Sequence, residues 1–127
     1  MAESLETSIL IVDDSTINTR IIAKMISELN HQVLVANSGP EALKLLTTFK
    51  PSLILLDIKM PNMDGFECCK RIKNSSSRAD IPIIFISSSD CPHDQATAKK
   101  LGGACYLTKP VDANKLLKEI EFHLPWA

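Results

Sequence analysis

The sequence predicts an α/β domain built on a parallel sheet with helices on both faces, and three observations carry that prediction. Five short apolar runs, each of strand length, alternate strictly with segments of helical character. Strict β-α alternation over short connections implies right-handed crossovers. Four of the five runs end in polar or charged residues, and in a parallel sheet all strand carboxyl ends meet at one edge.

The first run, Ser8-Ile9-Leu10-Ile11-Val12, ends in Asp13-Asp14. Ser15 or Thr16 can cap a following helix whose apolar positions are Ile17, Ile21, Ile22, Met25, Ile26 and Leu29, closed by Asn30-His31. The second run, Gln32 to Ala36, ends in uncharged Asn37-Ser38 and presents no polar chemistry, as expected of an edge strand. Ser38-Gly39-Pro40-Glu41 reads as a capping box with proline at the first helical position. Ala42, Leu43, Leu46 and Phe49 are expected to face inward before Pro51 ends that helix.

The third run, Leu53 to Leu56, stops abruptly at Asp57 and gives way to a turn marked by Met60-Pro61 and Asp64-Gly65. Asp64 and Glu67 form a second possible capping box, opening a helix through Phe66, Cys69 and Ile72. After a polar turn, Ile81 to Ile86 makes the fourth strand, with Pro82 near its start, and ends in Ser87-Ser88-Ser89-Asp90. The helix from Pro92 to Leu101 is the weakest: its inward residues, Ala96 and Ala98, are small, so it should pack loosely and move most easily. Gly102-Gly103 terminates it. Ala104 to Thr108 is the fifth strand, ending in Lys109-Pro110, and Asp112 caps a last helix with Leu116, Leu117, Ile120 and Leu124 on one side, stopped by Pro125.

Composition narrows the function classes. The 127 residues amount to one domain, with 45% hydrophobic and 23% charged side chains, a globular balance. Fourteen basic against fifteen acidic residues give a net charge of −1, which makes no electrostatic case for nucleic acid or an anionic membrane as partner. No apolar stretch approaches the ~20 residues of a membrane span, and polar Met1 to Ser8 has no signal-peptide character, so a cytoplasmic protein is expected. Cys68, Cys69, Cys91 and Cys105 fit neither a redox pair nor a zinc site and read as reduced, mostly buried small hydrophobes. His31, His93 and His123 are scattered and form no metal motif. A P-loop or dinucleotide fingerprint is also absent.

The chemistry therefore lies at the strand ends. Asp13, Asp14 and Asp57 at one edge repel each other unless a cation joins them, and oxygen-only ligands suit Mg²⁺. A lysine, Lys109, and a hydroxyl, Ser87, complete a site for a phosphoryl group, whose transfer needs positioning and charge neutralisation more than covalent machinery. One carboxylate can itself be the nucleophile and form an aspartyl phosphate.

The set Asp13-Asp14, Asp57, Ser87 and Lys109-Pro110, with Met60-Pro61-Asn62-Met63-Asp64-Gly65, resembles the receiver domain of two-component response regulators from about Ser8 to Leu124. The resemblance implies a flavodoxin-like, doubly wound five-stranded sheet of order 2-1-3-4-5 with five helices, in a single domain spanning 1–127. It further implies that Asp57 accepts a phosphoryl group from a phosphohistidine. Asp14, Asp57 and the backbone carbonyl of Lys59 bind Mg²⁺, with Asp13 acting through water. Lys109 pairs with the phosphoryl oxygens next to a cis Lys109-Pro110 bond. Ser87 moves to the phosphate and Tyr106 changes rotamer with it, so that the loosely packed helix after Ser89 is the element to shift.

Implied partners are a histidine kinase or histidine phosphotransfer protein, meeting the first turn of the helix from Ser15. A downstream protein or fused output domain would meet the surface around Tyr106. No turnover of a separate substrate is expected beyond autodephosphorylation. Three features depart from the commonest pattern of the family: Ser87 in place of threonine, Ser88 in place of alanine, and the long cationic Lys59, which is expected to alter the dephosphorylation rate.

Three other readings compete. A haloacid-dehalogenase-type phosphatase also uses a strand-end aspartate and Mg²⁺, but it wants D-x-D where this chain has Asp13-Asp14-Ser15. A flavodoxin-type FMN carrier would find hydroxyls but no glycine in Ser15-Thr16-Ile17-Asn18-Thr19. A receiver-like module that binds partners without phosphorylation is opposed by the full acidic set.

Overall fold

The computed structural model describes residues 7–27 and 31–124. Leu29, an expected apolar position of the first helix, Asn30 of its expected close and the stop at Pro125 lie outside the described residues. Elements alternate without exception: β1 (Ser8–Val12), α1 (Thr16–Ile26), β2 (Gln32–Ala36), α2 (Gly39–Leu45), β3 (Leu53–Asp57), α3 (Gly65–Lys73), β4 (Ile83–Ser87), α4 (Pro92–Lys100), β5 (Cys105–Thr108) and α5 (Ala113–His123). The five strands are parallel in the order β2-β1-β3-β4-β5. This is the predicted doubly wound sheet, with β2 at one edge.

Alternation along the strands divides the core into two layers. Leu10, Val12, Ile54, Leu56, Ile83 and Phe85 point to the face covered by α2, α3 and α4. Ile9, Ile11, Leu53, Leu55, Ile84 and Ile86 point to the face covered by α1 and α5. Strands β3 and β4 are buried along their whole length, which is why they read as continuous apolar runs rather than alternating ones.

The helix caps follow the sequence closely. Ser15 Oγ accepts from Asn18 N at 3.2 Å, Ser38 Oγ from Glu41 N at 3.1 Å, Asp64 Oδ1 from Glu67 N at 2.9 Å and Asp112 Oδ2 from Lys115 N at 3.1 Å. Pro40 is the second helical residue, not the first, because Gly39 already belongs to α2. The Glu67 carboxylate turns outward to Arg71 Nε at 2.9 Å instead of closing its box. α4 has no side-chain cap at all.

Four expected inward residues are exposed. Ile17 (70%) and Ile21 (48%) lie outside the arc of α1 that the sheet covers, where Thr19, Ile22 and Ile26 are buried instead. Phe49 stands half-exposed beyond the end of α2, and on α4 only Ala98 is buried, Ala96 being exposed. All four cysteines are free, with Cys68 and Cys69 buried, Cys105 half-buried and Cys91 exposed. Burial pushes the Cys68 thiol up to about 12 and the Cys105 thiol up to about 11, so neither is poised to react near neutral pH.

Candidate functional site

The carboxyl ends of β1, β3, β4 and β5 bring the expected residues together. Asp57, the last residue of β3, is 4% exposed, and Asp13, directly after β1, is 2% exposed. The Lys109 ammonium bridges them, donating to Asp13 Oδ2 at 3.0 Å and Asp57 Oδ1 at 3.2 Å. Asp14 is exposed, yet one oxygen from each of Asp13, Asp14 and Asp57 lies within 4.8 Å of the others. Three carboxylates thus cluster where a single ammonium is bonded to two of them. That leaves an excess of negative charge in an oxygen-only cluster, a donor set that fits a hard divalent cation such as Mg²⁺.

The local electrostatics follow from this crowding. Burial, reinforced by the Asp13 charge and only partly offset by Lys109, raises the Asp57 carboxyl to about 6. Burial alone would lower the Lys109 ammonium, but its bonds to Asp13 and the charge on Asp57 outweigh that and hold it above the ordinary lysine value.

Backbone geometry fixes the side of the cluster formed by β3 and α3. Gly65 N donates to the Ile58 carbonyl at 2.8 Å, which folds the start of α3 back onto the end of β3. A Cβ on Gly65 would overlap the Asp57 carbonyl oxygen and lie 2.8 Å from Ile58 Cα, so no larger residue fits. Asn62 takes a left-handed φ of 70° in the intervening loop, a conformation Asn tolerates and one that spacing alone did not reveal. Met60 is buried beneath this loop, whereas Lys59 is exposed. The Lys109–Pro110 peptide is cis.

On the other side Ser87 is fully buried, and its hydroxyl accepts from Ser89 N at 3.1 Å. Tyr106, half-buried on β5, donates its hydroxyl to the Ser89 carbonyl at 2.6 Å. Ser89 is therefore held at both its backbone groups by the two residues expected to act as a switch. Sequence reasoning passed over Ser89, because a backbone bridge leaves no residue-type signal. It also passed over Asn37, whose side-chain amide donates to the Asp13 carbonyl at 3.3 Å, so the end of β2 does contribute one polar contact.

With this arrangement in view, comparison with known proteins is decisive. The family description "Response regulator receiver domain" matches residues 9–121. The chain belongs to that family. Among curated receivers, Protein PilH of Pseudomonas aeruginosa is 38% identical over 112 residues, covering 88% of this chain and 93% of its own. Protein PilG of the same organism is 34% identical over 92% of this chain and 87% of its own. Response regulator PleD of Caulobacter vibrioides is 36% identical, but the match spans only 23% of that longer protein. Among solved structures, Vibrio cholerae chemotaxis protein CheY4 superposes with a TM-score of 0.88 at 28% identity, over 94% of this chain and 99% of that one.

An apolar cleft lies beside the carboxylate cluster. α1 and the loop after β5 enclose a cleft of about 140 Å³ lined by Asn18, Ile21, Ile22, Met25, Pro110 and Val111 beside Lys109, with exposed Ile17 further along α1. No described helix is long and apolar enough to cross a membrane.

Proposed function

We propose that this receiver is the phosphoacceptor of a two-component or phosphorelay pathway, with Asp57 taking the phosphoryl group from a phosphohistidine. The observation that carries the reading is the Lys109 ammonium spanning two buried carboxylates at the sheet edge, with a third carboxylate beside them. Family membership supports a phosphoacceptor role, and the geometry supports Asp57 within it. Asp57 is the carboxylate at the end of the central strand, and its basicity is raised without being lost to protonation at neutral pH.

Asp14, Asp57 and the Lys59 carbonyl would hold Mg²⁺, with Asp13 acting through water. When bound, the ion supplies neutralisation of charge on the phosphoryl oxygens. Lys109 orients and neutralises the phosphoryl group from the opposite side, already anchored by Asp13. Negative charge on Asp57 draws the Ser87 hydroxyl away from Ser89 N, and the freed loop alters the seat of Tyr106 on the Ser89 carbonyl. The phosphohistidine would arrive on a histidine kinase or phosphotransfer protein seated at the apolar α1 cleft. The face around Tyr106 and α4 would carry the signal to a downstream protein or fused domain. The chain then works as one cytoplasmic domain over 1–127.

Intact mass after incubation with acetyl phosphate and Mg²⁺ tests this. The expected outcome is a single hydrolysable phosphoryl adduct on the wild type and none on Asp57→Asn. No adduct on either protein, with Mg²⁺ binding undetectable, would favour a module that docks without phosphorylation.

A further inference from the structure

The edge strand β2 is built for strand addition, and we infer that its occupant is β2 of a second copy of this chain. Edge strands are ordinarily blunted by a charge, a proline or a bulge. Gln32-Val33-Leu34-Val35-Ala36 has none of these. It pairs with β1 in unbroken parallel register, and no described strand pairs with its other side. Gln32 N bonds toward β1, to the Thr7 carbonyl, and so does the Ala36 carbonyl, which accepts from Asp13 N. By the alternation of a parallel ladder, the N–H and C=O groups of Val33 and Val35 point away from β1.

The space beside that edge has the shape of a slot. A cleft of about 330 Å³ runs along it, lined by Val35, Glu41, Lys44, Leu45, Thr47 and Thr48, so that α2 forms its wall and Val35, 40% exposed, its lip. An extended chain placed there gains main-chain hydrogen bonds from the edge and apolar contact from Val35 and Leu45.

Self-complementarity selects the occupant. A twofold axis at Leu34 sets Val33 opposite Val35 of the second copy, and Val35 opposite its Val33. These are the residues with outward donors and acceptors, so four main-chain hydrogen bonds form in one register. The wall carries Glu41 and Lys44 in that order, and although Glu41 Oε1 accepts from Asn37 N, an inverted copy presents the pair reversed, with the other oxygen of each carboxylate toward the second copy's ammonium. Nothing in this inference depends on the phosphoryl chemistry.

Sedimentation equilibrium of the full chain between about 10 µM and about 1 mM, joined to amide exchange by NMR at both ends of that range, tests it. A monomer–dimer equilibrium is expected in which the Val33 and Val35 amides exchange at least tenfold more slowly at the higher concentration. Val35→Lys, which places a charge on the edge, should remain monomeric with an unchanged circular dichroism spectrum. Val35→Thr, which keeps the strand propensity, should still dimerise. A monomer throughout the range overturns the inference. So does a dimer that survives Val35→Lys or leaves the Val33 and Val35 amides unprotected, or a monomer whose β2 edge accepts only a foreign extended peptide.

Discussion

Helices α3 and α4 are each nine residues long and pack on the same face of the sheet, yet they are held by different means. α3 buries Gly65, Cys68, Cys69 and Ile72, is capped by Asp64, and starts against the backbone of Asp57. α4 buries Ala98 alone and lacks a side-chain cap. Its entry loop is tied to β4 and β5 through the backbone of Ser89, whose N–H donates to Ser87 Oγ and whose carbonyl accepts from Tyr106, while the Ser89 hydroxyl accepts from Cys91 N. The difference teaches how the two sides of one site can be held with unequal strength. Asp57, the proposed acceptor, is anchored through α3, while the Ser87 side is tied to an element with little apolar burial to lose.

The comparison is broken most severely at Gly65. Gly65→Ala forces a methyl group into the Asp57 backbone, and a loss on the order of 3 kcal/mol is expected by urea denaturation. An equal loss from Ala98→Gly on α4 would show that the two helices are not held differently.

The next effect comes from the anchored charge. Because the Asp57 carboxyl is raised from 3.8 to about 6, the native state binds its proton more tightly than the unfolded chain does. The ionised carboxylate therefore costs stability above about pH 6, and the cost fades as pH falls toward 4. Asp57→Asn should be more stable than the wild type by on the order of 2 kcal/mol at pH 7, converging with it near pH 4. Chemical denaturation across that range without Mg²⁺ measures this, and an advantage that grows on acidification would contradict it.

On the α4 side, Tyr106→Phe removes the bond that ties the Ser89 carbonyl to β5. A loss of about 1 kcal/mol is expected, with faster amide exchange confined to the Ser87–Lys100 segment. Exchange that spreads into α3 would mean the two helices are coupled. The smallest effect on stability is expected from Lys59→Ala, since that side chain is exposed and forms no ion pair with another described residue. Its expected signature is kinetic, a severalfold change in the lifetime of the aspartyl phosphate, and an unchanged lifetime would remove Lys59 from the site.

Much of this was legible in the chain itself. Leu53-Ile54-Leu55-Leu56 has the length and composition of a strand buried on both faces, and the strand-end placement of Asp13, Asp57, Ser87 and Lys109 followed from β-α alternation. The caps at Ser15, Ser38, Asp64 and Asp112 were equally readable, because a cap is a contact between residues two or three apart. Such local rules determined the fold class, the edge where the site lies and the residues that furnish it.

Periodicity, however, gives the direction of an apolar stripe and not the width of surface available to cover it. Ile17 and Ile21 satisfy the helical period and still stand in solvent, because the sheet and α5 reach only as far as Ile22 and Ile26. The two adjacent aspartates look alike in sequence, but chain direction at the end of β1 buries Asp13 against Lys109 and leaves Asp14 exposed. The two-sided grip on Ser89 joins β4 to β5 through backbone groups that every residue possesses. The sequence by itself settled which groups are present at the site. Only the tertiary structure decided which are buried, which share a proton donor and which element is left loose, since those depend on contacts between residues far apart in the chain.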